Sequence, residues 1–376
     1  MKNPFEFVKY PGPIYFCDRK EETNAIVDAI DNGRSLTIFS IRRLGKTGLI
    51  HHAFNQLRKK KNHKCIYLDI YSCQNQKDFL EQFSAAVIHS LEDSKEGFMQ
   101  SASKFFNKYR PRFSYDFLTN QPALQLDVVT PSDIKFSLDT IFSFIESNKN
   151  NIVIAIDEFQ QVENFEDQGL EALLRKYLQA IPNLHFIFSG SKPSILLQMF
   201  SSPKKALFRT TQFLPLEHIS NSEYLTFIQH HFKQGLKKLS IELVQEILDW
   251  TCLHTYYVQY FCNRLYEIKS KTITRAHVDQ IKTRILTENE QVYFNYRTLL
   301  TNPQWKLLHA IGKEGIVKAP SSKEFISKYK LGANSTVHQS LQFLLKNDFI
   351  YSRISDSGKK DYQIYDTFFR RWLEVK

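Results

Sequence analysis

Short, continuously apolar runs alternate in the first half of the chain with longer segments whose apolar residues recur every three or four positions. Ser35-Leu36-Thr37-Ile38-Phe39-Ser40 has the β-branched, apolar pattern of a buried strand, and the amphipathic run from Gly48 to Lys59 that follows it reads as a helix. A second strand over Cys65 to Tyr71 and a second helix over Asp78 to Leu91 repeat the pair. Helices over Ser132 to Asn148 and Gly169 to Ile181 precede and follow the strand Ile152 to Ile156, and Leu184 to Ser191 is a further strand. Ahead of them all, Lys20 to Asn32 is predicted helical with Asp18 as its N-cap. Strands that alternate with helices, each strand apolar throughout, predict a parallel sheet covered on both faces.

The pattern changes twice. Between Asp93 and Val129 a basic stretch, Lys104 to Arg112, leads into two alternating segments, Phe113 to Phe117 and Leu124 to Val128, separated by Thr119-Asn120-Gln121-Pro122. A β-hairpin inserted at about 110–130 is expected. Beyond Pro215 the strands give way to helices from Asn221 to about Leu300, broken near Gly235, Leu253 and Lys271. After Asn302-Pro303, helices over Gln304 to Gly312, Ser322 to Lys330 and Ser335 to Lys346 are followed by two strands flanking Asp356-Ser357-Gly358, the order of a winged helix-turn-helix. The predicted organisation is an α/β domain built on that parallel sheet at 1–216, with the inserted hairpin, then a helical lid at 217–300 and a winged helix-turn-helix domain at 301–376.

Composition adds limits. The 376 residues, 42% hydrophobic and 24% charged, suit an ordinary globular chain of several cores rather than a disordered one. Fifty Lys and Arg against 39 Asp and Glu leave a formal charge of +11, which favours anionic partners such as nucleic acid or nucleotide. Cys17, Cys65, Cys73, Cys252 and Cys262 show no metal-ligand spacing and read as thiols of a reducing compartment. Pro4, Pro11 and Pro13 interrupt the N-terminal segment, which therefore has no secretory apolar region, and no stretch reaches the roughly 18 apolar residues of a membrane span. A cytoplasmic location without membrane contact is expected. The basic cluster Arg58-Lys59-Lys60-Lys61 complements a helix C-terminus and faces solvent.

The chemistry concentrates in two places. Ser40-Ile41-Arg42-Arg43-Leu44-Gly45-Lys46-Thr47 matches the GxxxxGK[ST] spacing except at its first position, and it stands between a strand and a helix as that motif requires. There the backbone N–H groups of Ser40 to Gly48 would cradle phosphates, Lys46 would reach the β and γ oxygens, and Thr47 would hold Mg²⁺. Asp157-Glu158 ends an apolar strand about 110 residues later, with Asp157 expected on the metal side and Glu158 as the base that polarises water. Ser191 offers a hydroxyl at the end of the next strand, where it would sense the γ-phosphate. Arg209 is a candidate charge-stabilising finger, acting within its own chain or on a neighbour.

Phe16-Cys17-Asp18-Arg19-Lys20-Glu21-Glu22, Arg42 to Thr47, Ile156-Asp157-Glu158, Ser189-Gly190-Ser191, Leu253-His254-Thr255-Tyr256-Tyr257-Val258-Gln259 and Tyr365-Asp366-Thr367-Phe368-Phe369-Arg370-Arg371-Trp372 together resemble the prokaryotic and archaeal ATPases of the AAA+/STAND group. The resemblance covers nearly the whole chain. It implies Arg19 near the adenine, and a phosphate contact from His254, the residue this chain keeps of the family's Gly-His-Pro triplet. It also implies a nucleotide-controlled switch with a winged helix after the lid.

Three functions compete. In the first, ATP at the meeting of sheet domain and lid draws them together, hydrolysis relaxes them, and the winged helix reports the state to DNA or to a protein partner. In the second, a DNA-binding regulator keeps nucleotide as a structural ligand with negligible turnover. The third, a P-loop kinase, lacks an evident acceptor pocket. For DNA, the helix at Asn334 to Gln342 offers polar side chains to base edges, and Lys346, Arg353, Lys359 and Lys360 could meet phosphates. A homo-oligomer is a further expected arrangement, since a finger acting on a neighbour needs one.

Overall fold

Successive residues of a strand point to opposite sides, so a strand apolar at every position must be covered twice. In the computed structural model the strands of the first half obey this rule. It describes residues 3–376 apart from 61, 93–96, 98–99, 102, 105–111, 116–121, 127–129, 168 and 355–357, and gives only the backbone of 112–115, 122–123 and 131. The chain divides into two compact units, one of Lys9–Glu217, the other of Met1–Val8 together with His218–Lys376.

The first unit runs α1 (Lys20–Asp31), β1 (Leu36–Phe39), α2 (Lys46–Leu57), β2 (His63–Asp69), α3 (Gln76–Leu91), β3 (Arg112–Tyr115), β4 (Pro122–Gln125), α4 (Pro131–Ser147), β5 (Asn151–Asp157), α5 (Leu170–Ala180), β6 (Leu184–Gly190), α6 (Pro193–Ser201) and β7 (Gln212–Pro215). Among the described residues the main sheet has the order β2-β5-β6-β1-β7, and every pair is parallel. Its register sets Asp69 beside Asp157, Ile156 beside Phe188, and Phe39 beside Gly190. The C-terminal ends of β1, β2, β5 and β6 therefore share one edge, where loops can carry chemistry.

Ile66, Leu68, Ile152, Ile154, Ile156, Phe186 and Phe188 bury one face against α3, α4 and α5. Ile38, Cys65, Val153, Ala155 and Ile187 bury the other against α1 and α2. Each fully buried Ile, Leu or Phe side chain contributes about 1.5–3 kcal/mol, so this double cover is the main source of stability in the unit. Side chains fix where helices begin. Asn75 accepts from the Asp78 N–H at α3, and Thr130 and Asp133 form a reciprocal capping box at α4.

The structure corrects one capping expectation. Arg19, not Asp18, is the N-cap of α1, and both have left-handed backbones, at φ 65° and 52°. Neither caps through its side chain, because the Arg19 side chain is engaged elsewhere and the φ at Asp18 turns the chain before the helix begins. The phosphate-loop helix also starts two residues early, at Lys46, since Gly45 at φ 99° supplies the turn that ends the loop. In the 110–130 region β3 and β4 pair antiparallel, Phe113 opposite Leu124. The expected turn at 119–121 and most of the basic stretch before β3 lie outside the described residues, as do residue 61 of the basic cluster and residues 356–357 of the expected wing turn.

The second unit is helical, with α7 (Asn221–Gln234), α8 (Ile241–Trp250), α9 (Thr255–Tyr266) and α10 (Arg275–Leu299), and breaks that fall at Gly235, Leu253 and Lys271 as the pattern predicts. Residues from the start of the chain join it. Phe5 is fully buried with its ring against Phe227, Phe232 and Tyr266, the Asn3 side-chain amide donates to the Asn263 carbonyl, and the Asn263 side-chain amide donates to the Phe5 carbonyl. The winged helix follows as α11 (Asn302–Glu314), α12 (Lys323–Tyr329) and α13 (Asn334–Lys346), then β8 (Ile350–Ile354) antiparallel to β9 (Lys360–Ile364). A Val317–Tyr362 bridge adds a third edge to that pair. A last helix, α14 (Thr367–Val375), is capped by Asp366, and its Phe369 and Trp372 pack on Tyr293 of α10. Arg371 of α14 donates to the Asp249 and Trp250 carbonyls at the end of α8, where the helix dipole favours a cation.

Candidate functional site

The loop from Ser40 to Thr47 leaves β1 at the C-terminal edge of the sheet and enters α2. Ser40, at the position where the motif has glycine, is not among the residues with positive φ, so nothing in its backbone excludes a side chain. Its hydroxyl donates to the Ile41 carbonyl at 2.9 Å. The left-handed positions are Arg43, at φ 63°, and Gly45. Leu44 is buried and anchors the loop in the core beneath α1 and α2, whereas Arg43 is exposed and Arg42 half-buried. Gly48 lies in the first turn of α2, where an added Cβ would come within 3.2 Å of the Phe16 ring.

Lys46 folds back over this loop. Its ammonium donates to the Ser40 and Ile41 carbonyls at 3.3 and 3.2 Å and to the Ser40 hydroxyl at 3.2 Å. Burial pulls its pKa down, while the charges of Asp157 and Glu158 act in the opposite direction. The buried ammonium is thus held, among the described residues, by neutral acceptors of its own loop.

Asp157, the last residue of β5, is buried, and donors reach both of its oxygens. Oδ2 accepts from the Thr47 hydroxyl at 2.7 Å and the Tyr67 hydroxyl at 2.9 Å. Oδ1 accepts from the Ser189 hydroxyl, and from the Glu158 N–H at 3.0 Å. The register accounts for the set. Tyr67 pairs with Ala155 and so stands diagonal to Asp157, and Ser189 follows Phe188, the partner of Ile156. Burial, with the nearby Asp157 charge, pushes the Tyr67 phenol far up and keeps it a donor. Asp69 shares this edge with part of its surface exposed, and the desolvation of its carboxyl by the surrounding strand ends raises its pKa, helped by the charges of Asp157 and Glu158.

Glu158 turns out of the strand through a left-handed backbone, at φ 56°. Its Oε2 accepts from the Ser191 hydroxyl at 2.8 Å and from the Gln160 side-chain amide. Both bonds fall on Oε2, and among the described residues none falls on Oε1. Gly190 makes room for this arrangement, because a Cβ there would lie 1.9 Å from Gln160 Oε1.

The structure therefore brings Ser40, Arg42, Arg43, Leu44, Gly45, Lys46, Thr47, Gly48, Asp157, Glu158 and Ser191 to one edge. Arg19 joins them with its buried guanidinium on the Leu44 carbonyl. Arg209 does not join. It lines a cleft of about 490 Å³ with Gly33, Arg34, His185 and Gln212, at the N-terminal ends of the same strands. A four-residue strand at ~3.3 Å per residue separates the two edges by roughly 13 Å, so a finger from Arg209 to the same chain's loop is corrected by the sheet itself. His254 belongs to the other unit, where it starts α9, buried against Tyr257 and facing His218.

Sequence reasoning missed Tyr67, Ser189 and Gln160. A fully buried serine in the run Phe186-Ile187-Phe188-Ser189 was the available signal, since a hydroxyl enclosed by apolar strands needs a partner. Among the described residues no group of three or more His, Cys, Asp or Glu could hold a metal alone. A hydroxyl beside one carboxylate is nevertheless the donor set Mg²⁺ uses when phosphates complete its shell, and Thr47 with Asp157 fits it.

The family described as an ATPase domain predominantly from Archaea matches residues 16–261, and a probable winged helix domain matches residues 291–375. The fold is similar to that of a Walker-type ATPase of Pyrococcus abyssi, at 15% identity and a TM-score of 0.66 over 98% of this chain and 99% of that one. It is also similar to the ORC2 protein of Aeropyrum pernix solved with ADPNP and ADP, at 12% identity and a TM-score of 0.61 over 100% and 96% of the two chains. The ORC1 protein of Aeropyrum pernix, solved in complex with DNA, aligns at 11% identity and a TM-score of 0.52 over 97% and 94%. No curated protein matches the sequence. No helix among the described residues is long and apolar enough to cross a membrane.

Proposed function

The chain belongs to the ATPase-domain family found predominantly in Archaea, and from that premise we propose that it binds ATP at Ser40–Thr47 and hydrolyses it as a switch of the AAA+/STAND type. The observation that carries this reading is the Thr47 hydroxyl on the buried Asp157 carboxylate, directly below the loop that holds Lys46. Loop N–H groups and the Lys46 ammonium would take the phosphates, and Thr47 and Asp157 would hold the Mg²⁺ that neutralises them. When bound, that ion supplies charge stabilisation at the transferring phosphoryl group.

Glu158 is the residue we assign to the water. Ser191 and Gln160 hold Oε2, which leaves Oε1 as the oxygen that would accept the proton drawn from the water as it attacks the γ-phosphate. Ser191 thereby acts through Glu158 as well as offering its own hydroxyl. Arg209, at the far edge of the sheet, can serve phosphate chemistry only on a second copy of the chain. His254 remains a proposed phosphate contact on the family resemblance alone.

For the winged helix we propose DNA as the partner. Asn334, Ser335, His338, Gln339 and Gln342 are exposed along α13, and Arg353, Lys359 and Lys360 are exposed on the wing. Polar side chains on the helix suit base edges and cations on the wing suit phosphates. The Aeropyrum ORC1 relative was solved with DNA, which supports this choice. A regulator that keeps nucleotide as a structural ligand is the second reading, favoured by the same exposed face.

Glu158→Gln should retain ATP binding and lower phosphate release by ~10²-fold or more, the usual size of a general-base contribution. Release at the wild-type rate would sink the assignment, and negligible wild-type turnover would leave the second reading. Specific ATPase activity should rise with protein concentration, and Arg209→Ala should abolish the rise; a rate independent of concentration would remove Arg209 from the chemistry. In duplex titrations over salt, engagement of Lys346, Arg353, Lys359 and Lys360 predicts a log–log slope of about −3 to −4. No binding at low salt would point instead to a protein partner.

A further inference from the structure

Arg19 carries a side chain that is almost wholly enclosed, and its guanidinium faces protein groups on three sides. Nη1 donates to Glu22 Oε1 at 2.7 Å, and Nη2 donates to the Glu217 carbonyl at 2.7 Å and the Leu44 carbonyl at 3.3 Å. Its backbone is left-handed, which side-chain-bearing residues adopt seldom, and the Thr23 N–H holds its carbonyl at 2.9 Å as α1 begins. Glu217 is in turn tied to the sheet, because the Leu216 N–H donates to the Phe39 carbonyl at 3.0 Å. Phe39 is the last residue before the phosphate loop, and Leu44 stands near the loop's other end. One cation therefore closes a ring from the strand that enters the loop to the peptide that leaves it.

We propose that Arg19 is a positioning residue for the phosphate loop rather than a contact to the nucleotide base, an inference that rests on the nucleotide-binding reading above. A trans peptide is planar, with its C=O and N–H pointing in opposite directions. Holding the Leu44 carbonyl from one side therefore directs the Gly45 N–H to the other. A phosphate cradle works by such oriented N–H groups, and Gly45, at φ 99°, is the least restrained residue of this loop. Arginine suits the task because its planar fork reaches two carbonyls and a carboxylate together, which a lysine ammonium at the end of a flexible stem cannot reproduce.

The test compares ATP with inorganic tripolyphosphate, which has the phosphates but no base, in equilibrium titrations of the full chain. Arg19→Lys should weaken both ligands by the same factor, ~10-fold, the size of one lost charge-assisted bond. Glu22→Gln leaves Arg19 on both carbonyls and should keep both affinities within about twofold of wild type while sharing any loss of thermal stability. Weakened ATP with unchanged tripolyphosphate would overturn the proposal in favour of a base contact. Unchanged affinity for both in Arg19→Lys would overturn it outright, as would equal weakening in Glu22→Gln, which marks general loosening. A wild-type chain that binds neither ligand would overturn the nucleotide reading itself, an outcome distinguished by appearing before any substitution is made.

Discussion

A carboxylate withdrawn from water needs donors around it, and the donors that reach Asp157 come from four separate segments of the first unit. Thr47 opens α2, Tyr67 belongs to β2, Ser189 to β6, and the Glu158 N–H to the turn after β5. Hydrogen bonds to a charged group are worth about 1.5–3 kcal/mol each, so the carboxylate acts as a strong local reason for these ends to converge. Parallel pairing makes that convergence possible, because it gathers the strand ends at one edge. The apolar faces supply the stability and the carboxylate supplies the alignment.

The opposing charge is Lys46. Its ammonium is buried too, and it rests on carbonyls and one hydroxyl of its own loop rather than on Asp157. Burial lowers its pKa, so an anion placed beside it would favour the charged form. A loop of N–H groups, a desolvated cation and a hydroxyl–carboxylate pair are thus held within one small region, each pre-positioned by packing. Pre-positioned charge is what phosphoryl transfer requires most, since little covalent chemistry falls to the protein.

Much of this was legible in the sequence. The apolar runs located the strands, the Gly45-Lys46-Thr47 spacing located the loop, and the Asp157-Glu158 pair after a run of apolar residues located the carboxylates. What escaped was set by register, which a single chain does not display. Tyr67 reads as an ordinary strand residue, and Ser189 as the start of a strand-end motif with no role of its own, until pairing places them next to Asp157. Gln160 fell in a short 3-10 turn with no periodicity to mark it. Arg209 looked eligible for the site because it precedes a strand, but parallel strands put that position at the opposite edge. The last helix was missed for a different reason. Thr367 to Val375 is aromatic and short, and its cap, Asp366, had been read as part of a family motif rather than as a helix start.

Whether Asp157 organises the proposed nucleotide site through Thr47 is decided by ATP affinity measured calorimetrically with and without Mg²⁺ in wild type and Asp157→Asn. The substitution keeps the shape of the side chain and removes its charge. Mg²⁺ should tighten ATP binding in wild type, and this gain should shrink by ~10-fold or more in the variant, about 1.4 kcal/mol of coupling between the carboxylate and the ion. An equal Mg²⁺ effect in both proteins would contradict it.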